Sequence, residues 1–453
     1  MISRLRPLLL LRSLATAHCP LLTFFGPLAT FLVLLPAAAS ATKLDLSSEI
    51  NIRASNYQHL MYSQQRNSQP LYAENATLGF VIKGIRLEKT RDSTMDMGVV
   101  LKSAGVSAGT STITSAQLQD GINRLPNTNG TPFVKEAYVR IYRFLRPGIT
   151  ATLGRQAFTL GQGMALSDDG LGIPGARLEA ENLLNRNAKG EMFFFRPFKD
   201  LKYYKIYGGG VYYPSREGLW HVYHFWEQED GPGSELFYDT ISKTKKFTGL
   251  RYFLNHNALD FDGEVLLQRG QAKTAAATID YSAYAFLIKG AWSQNLSFFG
   301  RSRMRLAYGR ASGNPRTPST TDTAFFPSFG KKYDGIERSG FGAIAGATLY
   351  DTIKTSSTQN GLPYGVSGLN VINLGADLPY KKFMFSADFY RFRASQNISG
   401  GSLQIGSETD LKAVYKMGED LQLSAVYAVF TPLSLYTQTT PVKLVSTAVT
   451  ARF

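Results

Sequence analysis

The 453-residue sequence contains one cysteine, Cys19, and it lies in the N-terminal apolar segment. A chain cleaved beyond that point has no disulfide and no thiolate metal site, even when exported. Histidine is almost as scarce, with five in all, of which His59, His221, His224 and His256 follow the first fifty residues. His221 and His224 have the i, i+3 spacing of a helical metal pair, but on a strand they point to opposite faces. No Ser/His or Asp/His signature of an outer-membrane hydrolase is present. Glycines 161, 163, 170 and 172 lack the lysine and the strand-to-helix context of a nucleotide loop. No cofactor and no metal is therefore expected. After the N-terminal segment no run of eighteen apolar residues occurs, so a membrane role has to come from strands. No polar linker divides the chain, and its length permits either two or three soluble domains or one large barrel.

The first forty-one residues read as a secretory signal. Arg4, Arg6 and Arg12 precede an apolar run from Pro20 to Leu35, then small residues from Ala37 to Ala41, with no acidic residue before Asp45. Pro20 and Pro27 interrupt the run, which is short for a membrane helix; a retained N-terminal anchor is the alternative. Cleavage after Ala41 leaves a single domain, 42–453. Without those three arginines, 46 basic face 34 acidic residues, a net charge of +12. Basic chains of this kind include nucleic-acid binders, but an exported one has no DNA to meet. Cations lining a pore would instead recruit anions.

What the chain has in abundance is alternation. Between Ser297 and Ala311, Arg301, Arg303 and Arg305 share one face at period two with Ala307 and Gly309. Met304, Leu306 and Tyr308 share the other. A strand wet on one side and oily on the other suits a membrane barrel; a half-exposed strand of a soluble sheet is the plainer reading. From Lys43 onward such segments recur, separated by turn residues. Nineteen are countable, among them Leu44 to Ile52, Ala176 to Leu184, Leu219 to Glu227, Phe341 to Ile353 and Val442 to Phe453. A single-chain barrel with both ends in the periplasm has an even number. Counting from each terminus puts the surplus segment between Ser312 and Pro363, so eighteen strands are expected, with sixteen or twenty as alternatives. Thr114 to Ile122 reads as one or two helical turns within a long loop. Short turns at one end and long loops at the other complete an all-β, transmembrane antiparallel barrel. No N-terminal segment is long enough for the plug of a TonB-type transporter.

By the same alternation, Lys83, Arg140, Arg301, Arg303, Arg305, Lys412 and Lys416 face the lumen, with acids at Glu136, Asp260, Asp262, Glu264, Asp388 and Asp410. The three-arginine rail has too few acids on its own strand to be neutralised there. Asp168 and Asp169, in a glycine-rich loop, are turn formers or a Ca²⁺ site, the former being the commoner use. The terminal Phe453, with alternation back to Lys443, resembles the signal that outer-membrane proteins present to the barrel-assembly machinery.

Leu153, Gly154, Arg155 and Gln156, then Gly161 to Gly163, Asp168, Asp169, and Gly175, Ala176, Arg177 and Leu178 together resemble the alginate-export family of outer-membrane porins. The resemblance implies a large, basic-lined barrel in the bacterial outer membrane, surrounded by its lipids, with Arg155 and Arg177 as wall or constriction residues. Pro174 stands where an aspartate would precede Gly175, and the solute stays open between an anionic polysaccharide and a smaller anion. A general diffusion porin is the first alternative, ahead of a barrel enzyme and a structural or adhesive barrel.

Overall fold

The computed structural model describes residues 43–59, 68–87, 92–107, 121–183, 187–197, 204–235, 238–315, 320–327, 329–350, 366–397, 400–436 and 440–453. The proposed signal segment, residues 114–120 of the expected helical turn and residues 351–353 lie outside them. Gly121–Asn123 are helical.

Eighteen long strands form one closed antiparallel barrel. They are β1 Lys43–Gln58, β2 Ser68–Arg86, β3 Thr94–Val106, β4 Phe133–Tyr142, β5 Ile149–Gln156 and β6 Ile173–Leu183. Next come β7 Ala188–Phe195, β8 Tyr204–Pro214, β9 Gly218–Glu229, β10 Ser242–His256, β11 Leu259–Lys273 and β12 Thr278–Leu296. The last six are β13 Gly300–Ala311, β14 Val366–Tyr380, β15 Phe383–Asn397, β16 Gln404–Lys416, β17 Leu421–Pro432 and β18 Val442–Arg452. Each pairs with the next, and β18 closes on β1 from Glu49 opposite Arg452 to Gln58 opposite Lys443. Closure leaves no strand edge facing hydrocarbon, where an unpaired backbone group would have no partner.

The alternation decides which face each side chain takes. Leu46, Ile52, Met192, Val222, Met304, Leu306 and Leu374 are exposed on the outer face, where lipid replaces water. Aromatic residues flank this apolar band. Trp220 and Tyr252 lie 4.4 Å apart near the short-turn end, and Tyr207 and Trp226 lie 5.5 Å apart toward the other. The start of β1, the end of β18 and the short turns share one end of the barrel. The long connections, including those after β3, β5, β9 and β13, share the other.

The surplus nineteenth segment is Phe341 to Ile353. Its described part is a loop whose Phe341 and Ala347 form an isolated bridge. Ile344, Leu349 and Tyr350 are buried against inward-facing wall residues such as Leu287, Val371 and Phe392. Alternating apolar residues thus satisfy an apolar contact inside the barrel rather than a place in its wall. The interior is accordingly not polar throughout. Phe158, Leu160 and Leu166 of the glycine-rich loop pack on Phe193, Phe195 and Phe225, giving the half nearest the long loops an apolar filling. Each fully buried Phe or Leu contributes roughly 1.5–3 kcal/mol, enough to hold irregular loop backbone inside the barrel.

Candidate functional site in the lumen

Below the apolar filling the inner wall is a belt of paired charges. Arg177 on β6 donates from Nε and Nη2 to Glu191 on β7, at 3.1 and 2.8 Å, and its Nη2 lies 3.0 Å from Glu179. Tyr212 on β8 donates to the other oxygen of Glu191 at 3.0 Å. His221 on β9 is buried and stacks on Tyr212 with ring centroids 3.8 Å apart. Its neighbour Tyr223 donates to Glu264 on β11. Gly210 and Gly249 on the flanking strands leave the space that Tyr223 fills; a Cβ at either would press on its atoms. Arg251 on β10 then grips Asp262 on β11 through Nε and Nη2, at 2.7 and 2.8 Å.

The belt also holds the loops that enter the lumen. Arg251 donates from Nη1 to the carbonyl of Gly161 at 2.7 Å, and Glu264 accepts the amide of Gln162 at 2.5 Å. Asp169 accepts from Arg124 at 2.6 Å and from the amides of Lys332 and Tyr333 at 2.9 and 2.8 Å, tying three loops together. Asp168 accepts the amide of Gly172 at 3.0 Å, and burial raises its carboxyl above the usual range. Both aspartates are engaged by donors in this way, the turn-forming use. On β16, Glu408 accepts the amides of Ile344 and Ala345 at 2.6 and 3.0 Å, and Asp410 that of Ala343 at 2.9 Å. A further anchor joins Glu235, in the loop after β9, to Lys243 and Lys245 on β10 at 2.9 and 2.8 Å. Burial pushes the Glu235 carboxyl up, but Lys245 and Lys243 outweigh it and hold it below its ordinary value.

The arginine rail lies on the inner face of β13, as the period requires. It is not short of acids, which corrects the expectation of a locally unneutralised ladder. Arg303 pairs with Asp260 at 2.7 Å, and Arg305 with Asp377 and Asp388 at 3.0 and 2.9 Å. Arg301 donates to the carbonyl of Asn257 at 3.2 Å. The acids stand on β11, β14 and β15. A single strand's sequence cannot display partners supplied by strands beside it.

The other expected lumen residues divide. Lys83 faces inward at the short-turn rim and pairs with Asp45. Arg140 lies over the Tyr138 ring at 5.4 Å and reaches Thr152 at 3.4 Å. Lys412 and Lys416 face inward with no ion pair among the described residues. Arg155 donates to the carbonyls of Leu171 and Gly172 at 3.1 and 3.2 Å, fixing the return of the glycine-rich loop, while Arg177 is the paired wall residue described above. His221 and His224 point to opposite faces: His221 inward, and His224 outward, 2.8 Å from Thr248.

Two lysines outside the expected set line the cavities beside the in-folded loops. A cavity of about 570 Å³ toward the short-turn end is lined by Asp260, Asp262, Lys289, Arg303, Arg305 and Phe341. A second, of about 260 Å³ between the in-folded loops, is lined by Gln162, Lys289, Lys331, Phe341 and Tyr350. Lys289 and Phe341 line both, so they stand at the junction. Lys289 on β12 is the cross-strand partner of Asp262, yet that carboxylate is held by Arg251. Neither Lys289 nor Lys331 has an ion pair among the described residues. A third cavity, of about 520 Å³, runs beside β1 to β4 with Arg53, Lys102 and Lys135 against Asp334 and Glu337. Lys289 was open to the alternation argument, being in phase with Ala285 and Leu287. Lys331 carries no periodic signal, because only loop packing brings it inward.

A family model described as "Alginate export" matches residues 111–447. No curated protein matches the sequence. Among solved structures the chain is similar to OccK5 (OpdH) of Pseudomonas aeruginosa, with 11% identity and a TM-score of 0.54 over 91% of this chain and 98% of that one. OccAB2 of Acinetobacter baumannii gives 11% and 0.55 over 90% and 98%. The outer membrane protein OpdK of Pseudomonas aeruginosa gives 9% and 0.52 over the same shares. At such identities the likeness is one of fold, and function has to be argued from the lumen.

Proposed function

This chain belongs to the alginate-export family and forms an outer-membrane channel; from that premise we propose that it conducts an anionic solute past Lys289 and Lys331. The observation that carries the reading is the position of Lys289 at the junction of two cavities, while its nearest wall acid, Asp262, is held by Arg251. A cation left unmatched in a narrow, partly apolar passage attracts an anion more strongly than one in open water, because the local dielectric is lower. Asp260, Asp377 and Asp388 balance the arginine rail, so the rail supplies hydrogen-bond donors along the wall and the two lysines supply unpaired charge beside the in-folded loops. An anionic polysaccharide passing as a single extended chain, or a smaller organic anion, fits this arrangement.

Residues 1–41 act in this reading as the export signal, and the terminal Phe453 as the contact for the barrel-assembly machinery. The test is the reversal potential of single channels in a planar bilayer under a salt gradient. Anion selectivity that moves toward cations in Lys289→Glu and Lys331→Glu is expected. A wild-type channel without selectivity would establish the general diffusion porin instead. Vanillate, present in one OpdK structure, is a convenient small anion for competition.

A further inference from the structure

The outer face of the barrel carries charges that lipid should not tolerate. On β10, β11, β13 and β15, Lys246, Arg269, Arg310, Arg391 and Arg393 alternate in phase with exposed apolar residues and are themselves exposed. Four of them, one on each strand, share a height, and Arg391 lies two residues below Arg393. Ten residues separate Leu259 from Arg269, Gly300 from Arg310, Phe383 from Arg393 and, counted back, His256 from Lys246. At about 3.3 Å per residue and the tilt of a membrane strand, ten residues climb about 25 Å from the short-turn end. That is the height of the apolar band of an outer-membrane barrel, so these cations stand where hydrocarbon gives way to head groups.

Register makes them a patch. Lys246 is the cross-strand partner of Arg269, and Arg310 and Arg393 are both partners of Asn370 on β14. Aromatic rings lie beneath and beside them: Trp226 opposite Lys246, Phe286 opposite Arg310, and Tyr284 with the Arg310 guanidinium 6.0 Å from its centroid. None of the five cations has an ion pair among the described residues. Arg269 donates to the carbonyls of Gln268 and Ala283, and Arg391 to Gln404. On the outer face of β10 to β15 the described residues include one carboxylate, Asp280, which accepts from Gln271.

We infer that this patch is a binding site for the phosphate groups of a phosphorylated glycolipid in the outer leaflet. The long loops mark the outward end, since barrels of this kind keep their short turns in the periplasm. Guanidinium groups bind phosphate oxygens through paired, charge-assisted hydrogen bonds. The exposed apolar residues below, among them Leu267, Leu306 and Phe389, receive acyl chains attached to the same head group. The site is independent of which solute the lumen passes.

Native mass spectrometry of the purified full chain with diphosphorylated lipid A tests this, set against the dephosphorylated lipid with the same acyl chains. Retention of the phosphorylated lipid is expected. In the triple variant Arg269→Gln, Arg310→Gln, Arg393→Gln it should fall by at least roughly tenfold. Should that variant lose its heat-modifiable mobility on gels, the single Arg310→Gln, which leaves the other cations in place, should still weaken retention a few-fold. Equal retention of the two lipids would reduce the patch to acyl-chain packing and overturn the site. So would unchanged retention by the variants. Displacement of bound lipid by millimolar inorganic phosphate would make it a free-phosphate site and also overturn the proposal.

Discussion

Arg251 holds Asp262 with both arms of its guanidinium, Nε to Oδ1 at 2.7 Å and Nη2 to Oδ2 at 2.8 Å. The grip keeps the carboxylate from Lys289, its cross-strand partner, and leaves that lysine's charge facing the passage. Removing Arg251 therefore acts at Lys289. In Arg251→Gln, Asp262 turns to Lys289, and the unmatched positive charge between the two cavities is neutralised. Anion preference, read from reversal potentials, should fall more than in a variant of an exposed rim cation such as Lys83→Gln. An equal effect of the two would show that Asp262 does not govern Lys289.

Arg303 and Arg305 should behave differently despite sharing a face. Arg303 pairs with one half-exposed acid, Asp260, and exposed pairs of this kind contribute about 0–1 kcal/mol. Arg303→Gln should leave the folded barrel intact and shift selectivity slightly. Arg305 sits between Asp377 and Asp388, so Arg305→Gln leaves two carboxylates unmatched. Cation permeability should rise clearly in that variant, as measured by the ratio of permeabilities in asymmetric salt.

The loop carrying Phe341 is held by Glu408 and Asp410 through three amides. Hydrogen bonds of this kind contribute roughly 0.5–1.5 kcal/mol each. The double variant Glu408→Gln, Asp410→Asn should loosen Phe341 from the junction of the two cavities. Single-channel traces should then show more frequent transitions and a higher mean conductance. Unaltered traces would mean that apolar packing of Ile344 and Leu349 holds the loop unaided.

Acid should release the loop after β9. The Glu235 carboxyl lies below its ordinary value of 4.5 because Lys245 and Lys243 outweigh burial. A depressed folded value stabilises above the unfolded value, and that contribution disappears as pH falls from 4.5 through the folded value. Asp322, nearby, runs the other way: burial raises it, so its contribution is present at low pH and fades as pH rises. The net expectation is lower protection of the amides of residues 230–235, as exchange rate relative to the intrinsic rate at each pH, below pH 4.5. Glu235→Gln should show the lower protection already near neutrality.

Phe453 closes the barrel through its own backbone, exchanging hydrogen bonds with Ser48 in both directions at 2.9 Å. Its ring is exposed, so Phe453→Ala removes little packing. A fall in assembled barrel in cells, with unchanged thermal stability of the fraction that does assemble, is the outcome expected of an assembly signal. A parallel fall in stability would assign the residue to closure alone.

The wall was legible because its physical constraint is local. A strand between lipid and lumen must alternate, so Arg301, Arg303 and Arg305 declared a common face before any partner was known. Parity located the surplus segment without revealing its nature. Phe341 to Ile353 alternates too, and nothing in its own residues states that its apolar side chains meet Leu287, Val371 and Phe392 inside the barrel. Arg155 and Arg177 match one family pattern, yet one fixes a loop and the other pairs with Glu191.

The sequence by itself determined a closed barrel of about eighteen strands and which side chains turn inward, since both follow from period two and from backbone hydrogen bonding in hydrocarbon. Tertiary structure alone decided which inward charges remain unmatched. Ion pairing across a sheet depends on register between strands far apart in the chain, and loop entry depends on packing that no period records. The net positive charge was visible from composition, but that Lys289 is among the unmatched cations rests on Arg251 reaching Asp262 first.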